Sequence, residues 1–263
     1  MDYLKEAIRI AHLAGNHIKV LRERNNYSLH VKNYDELVTS ADLESNDIIK
    51  REILNVFPSH NYISEEDYDG SHIEVEHPTW IVDPIDGTVG YSIGHYQVAV
   101  SIAFAQNNSI KLGVVYNPFL NETFYATECS GAYLNDQRIN VSFKGTLKES
   151  VIGTGIPHNR ENLNCVLYPL AKLLPKVRDI RRMGSPALDI CWVACGRLQG
   201  YYEPVLFPWD VAAARFIALM ADASVGHYGG ATSSDATQII NGNNVIVAAP
   251  SIYEDLLTIL NKG

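Results

Sequence analysis

Apolar residues recur along the first twenty-odd positions at helical spacing. Leu4, Ala7, Ile8, Ala11, Ala14, Ile18 and Leu21 fall three or four apart, which places one apolar face on a helix over residues 3–24. A second helix is predicted over 40–57, with Ser40 as its N-cap and Pro58 beyond its end; the polar stretch Val31-Lys32-Asn33-Tyr34-Asp35-Glu36 links the two. The period then changes. Tyr62-Ile63-Ser64 and Trp80-Ile81-Val82 read as short strands that each end at carboxylates. Four β-rich runs follow (97–105, 111–116, 122–127 and 131–141), punctuated by Asn107-Asn108, Asn117-Pro118 and Asn135-Asp136, and they predict an antiparallel meander.

Beyond residue 150 strands and helices alternate. Strands are predicted at 151–154, 177–182, 200–203 and 245–249, and helices at 159–174, 185–195, 209–222 and 251–260. Such alternation implies sheet layers with helical cover, a mixed α/β (α+β) fold. An internal boundary is expected near Lys144-Gly145-Thr146. It divides the chain into halves 1–145 and 146–263 that pack as one compact unit.

Composition narrows the classes of function. The chain has 263 residues, 46% hydrophobic and 19% charged, enough to bury a large core without staples. Its formal net charge of −9 argues against a nucleic-acid binder, which needs basic surface to meet phosphates. No apolar run reaches the roughly 18 residues of a membrane span, and Met1-Asp2-Tyr3-Leu4-Lys5-Glu6 lacks the basic start of a secretory signal. A cytoplasmic protein with no membrane partner is expected. Cys129, Cys165, Cys191 and Cys195 form no CxxC pair, and they are expected to be reduced.

Carboxylates gather at predicted turns and element ends: Asp42, Glu65-Glu66, the run Asp83-Pro84-Ile85-Asp86-Gly87-Thr88, and Trp209-Asp210. Pro84 fixes its own φ, so a sharp turn is expected after Asp83, with Asp83 and Asp86 facing one site. The Ile85 carbonyl offers a further hard oxygen. An all-oxygen set of this kind suits Mg²⁺, which keeps several waters and binds substrate phosphate. Gly87-Thr88 would let backbone approach an anion closely, more so if a helix begins there. An aspartyl-phosphate former of the haloacid dehalogenase type would want an Asp-x-Asp pair after its first strand, which is absent.

Taken together these segments resemble the inositol monophosphatase family of metal-dependent phosphatases. Trp80-Ile81-Val82-Asp83-Pro84-Ile85-Asp86-Gly87-Thr88 is similar to its first signature and Trp209-Asp210-Val211-Ala212-Ala213 to its second. Glu36-Leu37-Val38-Thr39-Ser40-Ala41-Asp42 and Glu65-Glu66 stand in the matching order before them. The resemblance implies a layered αβαβα sandwich of the sugar-phosphatase type. It implies Glu65, Asp83 and the Ile85 carbonyl on one Mg²⁺, Asp83, Asp86 and Asp210 on a second, and a third, weaker ion near Glu65. Asp42 and Thr88 would orient and deprotonate the attacking water, and Gly87 and Thr88 would hold phosphate. Asp86, Gly184, Ser185 and Glu203 would contact the leaving group, with Lys32 and Glu66 as further candidates near the metals.

The implied activity is hydrolysis of a small phosphate monoester, inositol monophosphate or a similar polyol or sugar phosphate, by a lithium-sensitive homodimer. Within the same fold, histidinol phosphate, fructose 1,6-bisphosphate, adenosine bisphosphates or NADP are alternative substrates, and Arg181-Arg182 would serve a bisphosphate. A non-catalytic regulatory protein is the alternative outside enzymes. Three places depart from the family pattern: Val89-Gly90-Tyr91 stands for the usual Thr/Ser-Asn-Phe, Pro186 for the usual Ala, and Ser64 for the common Gly. Pro186, lacking an N–H, is expected to reshape the pocket wall.

Overall fold

The computed structural model describes residues 2–31, 37–157, 163–229 and 240–261. In chain order the elements are α1 (Tyr3–Glu23), β1 (Leu29–Val31), β2 (Leu37–Thr39), α2 (Ser40–Val56), β3 (Asn61–Ser64), β4 (Thr79–Asp86), α3 (Thr88–Ser92), β5 (Ala99–Gln106), β6 (Ser109–Asn117), β7 (Glu122–Thr127), β8 (Gly131–Leu134) and β9 (Gln137–Ile139). There follow β10 (Val151–Thr154), α4 (Asn164–Leu173), β11 (Asp179–Arg181), α5 (Pro186–Ala194), β12 (Gly200–Val205), α6 (Pro208–Met220), β13 (Ser224–His227), β14 (Asn243–Ala248) and α7 (Tyr253–Leu260).

β3 to β9 form a seven-stranded sheet in sequence order, parallel at β3–β4 and antiparallel elsewhere. The second sheet has the order β11-β10-β12-β14-β13, with β10 parallel to both neighbours and β14 antiparallel to both of its own. α1 and α2 cover one face of the large sheet, α5 and α6 lie between the sheets, and α4 and α7 pack on the outer face of the small one. Those five layers are the expected αβαβα sandwich.

The meander follows from its turns. Asn107, Asn108, Asn135 and Asp136 all have φ between 46° and 64°, the left-handed region that Asn and Asp tolerate best. Asn135-Asp136 therefore splits the run 131–141 into the hairpin β8–β9. The large sheet is buried by apolar residues on both faces. Ile10, Ala14 and Ile18 of α1 join Ile49 and Ile53 of α2 against Trp80, Val82, Ile102 and Val114. On the other face Ile81, Ala103 and Val115 meet Ala213 and Ile217 of α6.

Two expectations about chain breaks are corrected. The N-cap of α2 is Thr39, whose hydroxyl accepts from the Ala41 N–H at 3.2 Å while Asp42 Oδ2 reaches back to the Thr39 N–H at 2.8 Å. Ser40 is the first helical residue, because Asp42 is correctly spaced to complete a capping box with Thr39. Nor does the chain turn after Asp83. β4 continues through Asp86, and a bulge between Asp83 and Asp86 keeps it paired with β5. Pro84 is tolerated there because a bulge releases one ladder bond. Thr39→Ala should cost about 1 kcal/mol of stability in a denaturant titration, the usual worth of a cap.

Candidate active site

The bulge in β4 gathers the acids. Every residue of β4 is buried. Asp83 Oδ1 accepts from the Ile85 N–H at 3.0 Å, and Ser45 of α2 donates to the Pro84 carbonyl at 3.0 Å. Asp83 and Asp86 come from the bulge, and Asp210 from the first turn of α6. One oxygen of each lies within 4.8 Å of the others. Asp210 Oδ2 accepts from the Phe207 N–H at 2.7 Å, and Ser101 of β5 donates to the Trp209 carbonyl at 3.2 Å, so the start of α6 is pinned to the large sheet. Asp86 Oδ2 accepts from the Ala187 N–H at 2.9 Å and from the Ser185 hydroxyl, which ties the start of α5 to β4.

These groups line a cavity of about 600 Å³, together with Glu65, the Ile85 segment, Gly87, Thr88, Gly184, Ser185 and Glu203. Glu65 follows directly on β3, which runs parallel to β4, so both strands deliver acids at the same end. Asp42 lies behind Thr88: the Thr88 hydroxyl donates to Asp42 Oδ1 at 2.9 Å, with the Ile85 carbonyl at 3.1 Å. Glu66 is near enough for its charge to reach Asp42, but it does not line the cavity. Lys32 lies outside the described residues. Ser185 borders the cavity with its hydroxyl committed to Asp86.

Gly87 is required by its place. Its φ is +94°, and a Cβ there would fall 2.9 Å from the Gln97 carbonyl and 3.0 Å from the Gly184 carbonyl. The first signature is thereby pressed against the loop before α5. Tyr91, one of the departures, is buried and donates to the Ile18 carbonyl at 2.8 Å, fastening the short helix α3 to α1. Pro186 occupies the first position of α5, where its missing N–H breaks no bond of the helix. Arg181 pairs with Asp179, and Arg182 alone of the two lines the cavity.

Burial raises the acids. Asp83 is pushed well above the usual carboxylate range by burial first and then by the charges of Glu65, Asp86, Asp210 and Asp42. Burial lifts Asp86 to about 7 against the hydrogen bonds from Ser185 and Ala187, and it lifts Asp42 to about 6 against those from Thr39 and Thr88. Oxygen-only donors, mutually repelling and short of positive charge, fit a hard divalent cation.

The sign of the linkage is fixed. In the unfolded chain these carboxyls ionise near pH 4. Between about pH 4 and pH 7 the metal-free folded protein therefore holds more protons than the unfolded one, and these groups destabilise it as the pH rises. A cation must displace those protons to bind. The Tm increase produced by a fixed Mg²⁺ concentration should thus be larger at about pH 7.5 than at about pH 5.5. Equal increases in a thermal melt would contradict this.

Some of the lining was not legible in sequence: Asp189 of α5, Tyr201 of β12, and the apolar rim of Val89, Ile156, Val205 and Phe207. For Asp189 the available signal was a lone acid in the apolar run 186–194.

Fold and site together define a metal-dependent phosphatase. The family model for the inositol monophosphatase family matches residues 2–262, and the chain belongs to that family. Among curated relatives, inositol monophosphatase 1 of Solanum lycopersicum is 39% identical, covering 80% of this chain and 79% of that protein. The Nus factor SuhB of Pasteurella multocida is 34% identical, over 97% and 94% respectively. Among solved structures, the Thermotoga maritima IMPase superposes with a TM-score of 0.87 at 31% identity, covering 100% of this chain and 98% of that one.

Proposed function

We propose that the protein hydrolyses a small polyol or sugar monophosphate, inositol monophosphate foremost, with Mg²⁺. The observation that carries this reading is the convergence of Asp83, Asp86 and Asp210 within 4.8 Å in a cavity lined also by Glu203 and by Thr88, which is backed by Asp42. Asp83, Asp86, Asp210, Glu65 and the Ile85 carbonyl would hold the ions, which would neutralise phosphate charge and acidify a bound water.

The chain's own groups then divide the work. The Thr88 hydroxyl donates its hydrogen bond to Asp42, so its oxygen is free to accept one from an attacking water; the water's proton would pass to Thr88 as Thr88 hands its own to Asp42. Gly87 and Thr88 supply the backbone that approaches phosphate. Glu203, 5% exposed and fixed by the Tyr201 hydroxyl, supplies an acceptor for a leaving-group hydroxyl. Burial holds that carboxyl at about 7.

A phosphate-release screen tests the assignment across inositol monophosphates, histidinol phosphate, fructose 1,6-bisphosphate, adenosine bisphosphate and NADP. Inositol monophosphate should give the highest kcat/KM, and a preference for either bisphosphate or NADP would overturn it. Inhibition by lithium and a light-scattering mass of twice 29.2 kDa are expected; full activity in lithium and a mass of 29.2 kDa would refute them.

A further inference from the structure

The cavity carries a further acidic group that the reading above does not use. Asp189 lines the cavity, is 1% exposed, and its Oδ1 has no hydrogen-bond partner. Among the described residues no cation pairs with it. A buried carboxyl oxygen without a partner is a large expense for a fold. Asp189 stands in the first turn of α5, where its charge suits the helix dipole, but Ser185 already caps that helix and the other residues from Ala187 to Ala194 are apolar and buried.

The backbone beside it has been cleared. Gly153 of β10 stands opposite Tyr201 of β12, and Gly155, just past the end of β10, lies against Glu203. A Cβ at Gly155 would fall 2.0 Å from Glu203 Oε2. One at Gly153 would fall 3.0 Å from the Tyr201 ring and 3.8 Å from Asp189 Cβ. The two glycines thus leave room for the side chains of Tyr201 and Glu203 to lie beside Asp189. Arg182, exposed at the same cavity, is near enough for its charge to act on both carboxyls. That positive charge is directed at acids of the protein, so the arrangement favours a leaving group rich in donors over one with a second anion.

We propose that Asp189 is a specificity-determining residue that, with Glu203, accepts two hydrogen bonds from donors on the substrate's leaving group. This rests on the phosphatase reading. The donors are either adjacent hydroxyls of a polyol or an ammonium group, and both present the same chemistry to a pair of carboxyl oxygens.

The test compares three phosphates of one ring size: inositol 1-phosphate, an amino-deoxy inositol 1-phosphate, and cyclohexyl phosphate, which lacks the donors. Wild type should prefer the donor-bearing esters by roughly a hundredfold or more, because a site built around acceptors rejects a ligand that leaves them unpaired. Asp189→Asn should lower kcat/KM on the donor-bearing esters about tenfold, mainly through KM, and far less on cyclohexyl phosphate. A larger loss on the amino ester identifies ammonium as the donor, and a larger loss on inositol phosphate identifies hydroxyls.

Asp189→Leu removes the acceptors at similar volume. It should show the same loss of selectivity with an unchanged or raised Tm, which a structural role would not produce. Equal losses on all three esters, no loss on either donor-bearing ester, or a wild type that takes cyclohexyl phosphate equally well would overturn the role of Asp189 alone. Failure of wild type with Mg²⁺ to release phosphate from any of the three would overturn the phosphatase reading and this proposal with it.

Discussion

Asp83→Asn is expected to lower kcat/KM by a factor of at least about 10³ while raising the Tm of the metal-free protein. Asp83 stands at the centre of the acids, where the charges of Glu65, Asp86, Asp210 and Asp42 all act on a fully buried carboxyl. The neutral amide can keep the bond from the Ile85 N–H, so local geometry survives. It removes a charge that is unfavourable without a cation, hence the gain in metal-free stability, of about 1 kcal/mol or more. It also removes an anionic ligand, hence the loss of activity and of most of the Mg²⁺-induced Tm increase. Thermal melts with and without Mg²⁺, beside steady-state rates, check both. A variant that melts lower without metal yet still responds fully to Mg²⁺ would place the cation elsewhere.

Thr88→Ala and Asp42→Asn are expected to lower kcat by about 10²–10⁴, the usual share of general base catalysis, with the Mg²⁺ half-saturation concentration nearly unchanged. The reasoning starts from the division of the Asp42 carboxylate. Oδ2 accepts from the Thr39 backbone and hydroxyl and so closes the cap of α2, while Oδ1 accepts from Thr88. The base is thus held by a helix terminus on one side and aimed through a hydroxyl on the other. Thr88→Ser should restore most of the rate, since it returns the hydroxyl. Asp42→Asn should also cost about 1 kcal/mol of stability through the cap, a loss Thr88→Ala does not share. A kcat unchanged in Thr88→Ala would remove this pair from the mechanism.

Much of this was legible in the chain. Helical spacing in α1, the bounding signals around α2, the Asn-rich turns of the meander and the strand–helix alternation after residue 150 are local signals, and each appears in the fold. The acids Asp42, Glu65, Asp83, Asp86 and Asp210, predicted from four separate segments, come to one cavity or, for Asp42, lie directly behind it. What was not legible depends on distant partners. Asp83-Pro84-Ile85-Asp86 has the composition of a turn, but pairing with β5 holds it in a bulged strand. β1, β2 and β13 are three or four residues long and carry no clear period. The seat formed by Gly153, Gly155, Asp189, Tyr201 and Glu203 exists only because β10, β12 and α5 meet, and no single stretch of sequence encodes it. Helix starts, likewise, shift by a residue where a capping acid decides between Thr39 and Ser40.

The central claim is that the acids of the β4 bulge and of α6 hold a cation that drives phosphate ester hydrolysis. Its most direct test is phosphate release from inositol monophosphate by chelator-stripped protein, titrated with Mg²⁺ and run beside Asp210→Asn. The stripped protein should be inactive, activity should return saturably with Mg²⁺, and Asp210→Asn should need far more Mg²⁺ or fail to recover. Activity that survives chelation, or a Mg²⁺ response identical in Asp210→Asn, would contradict the claim.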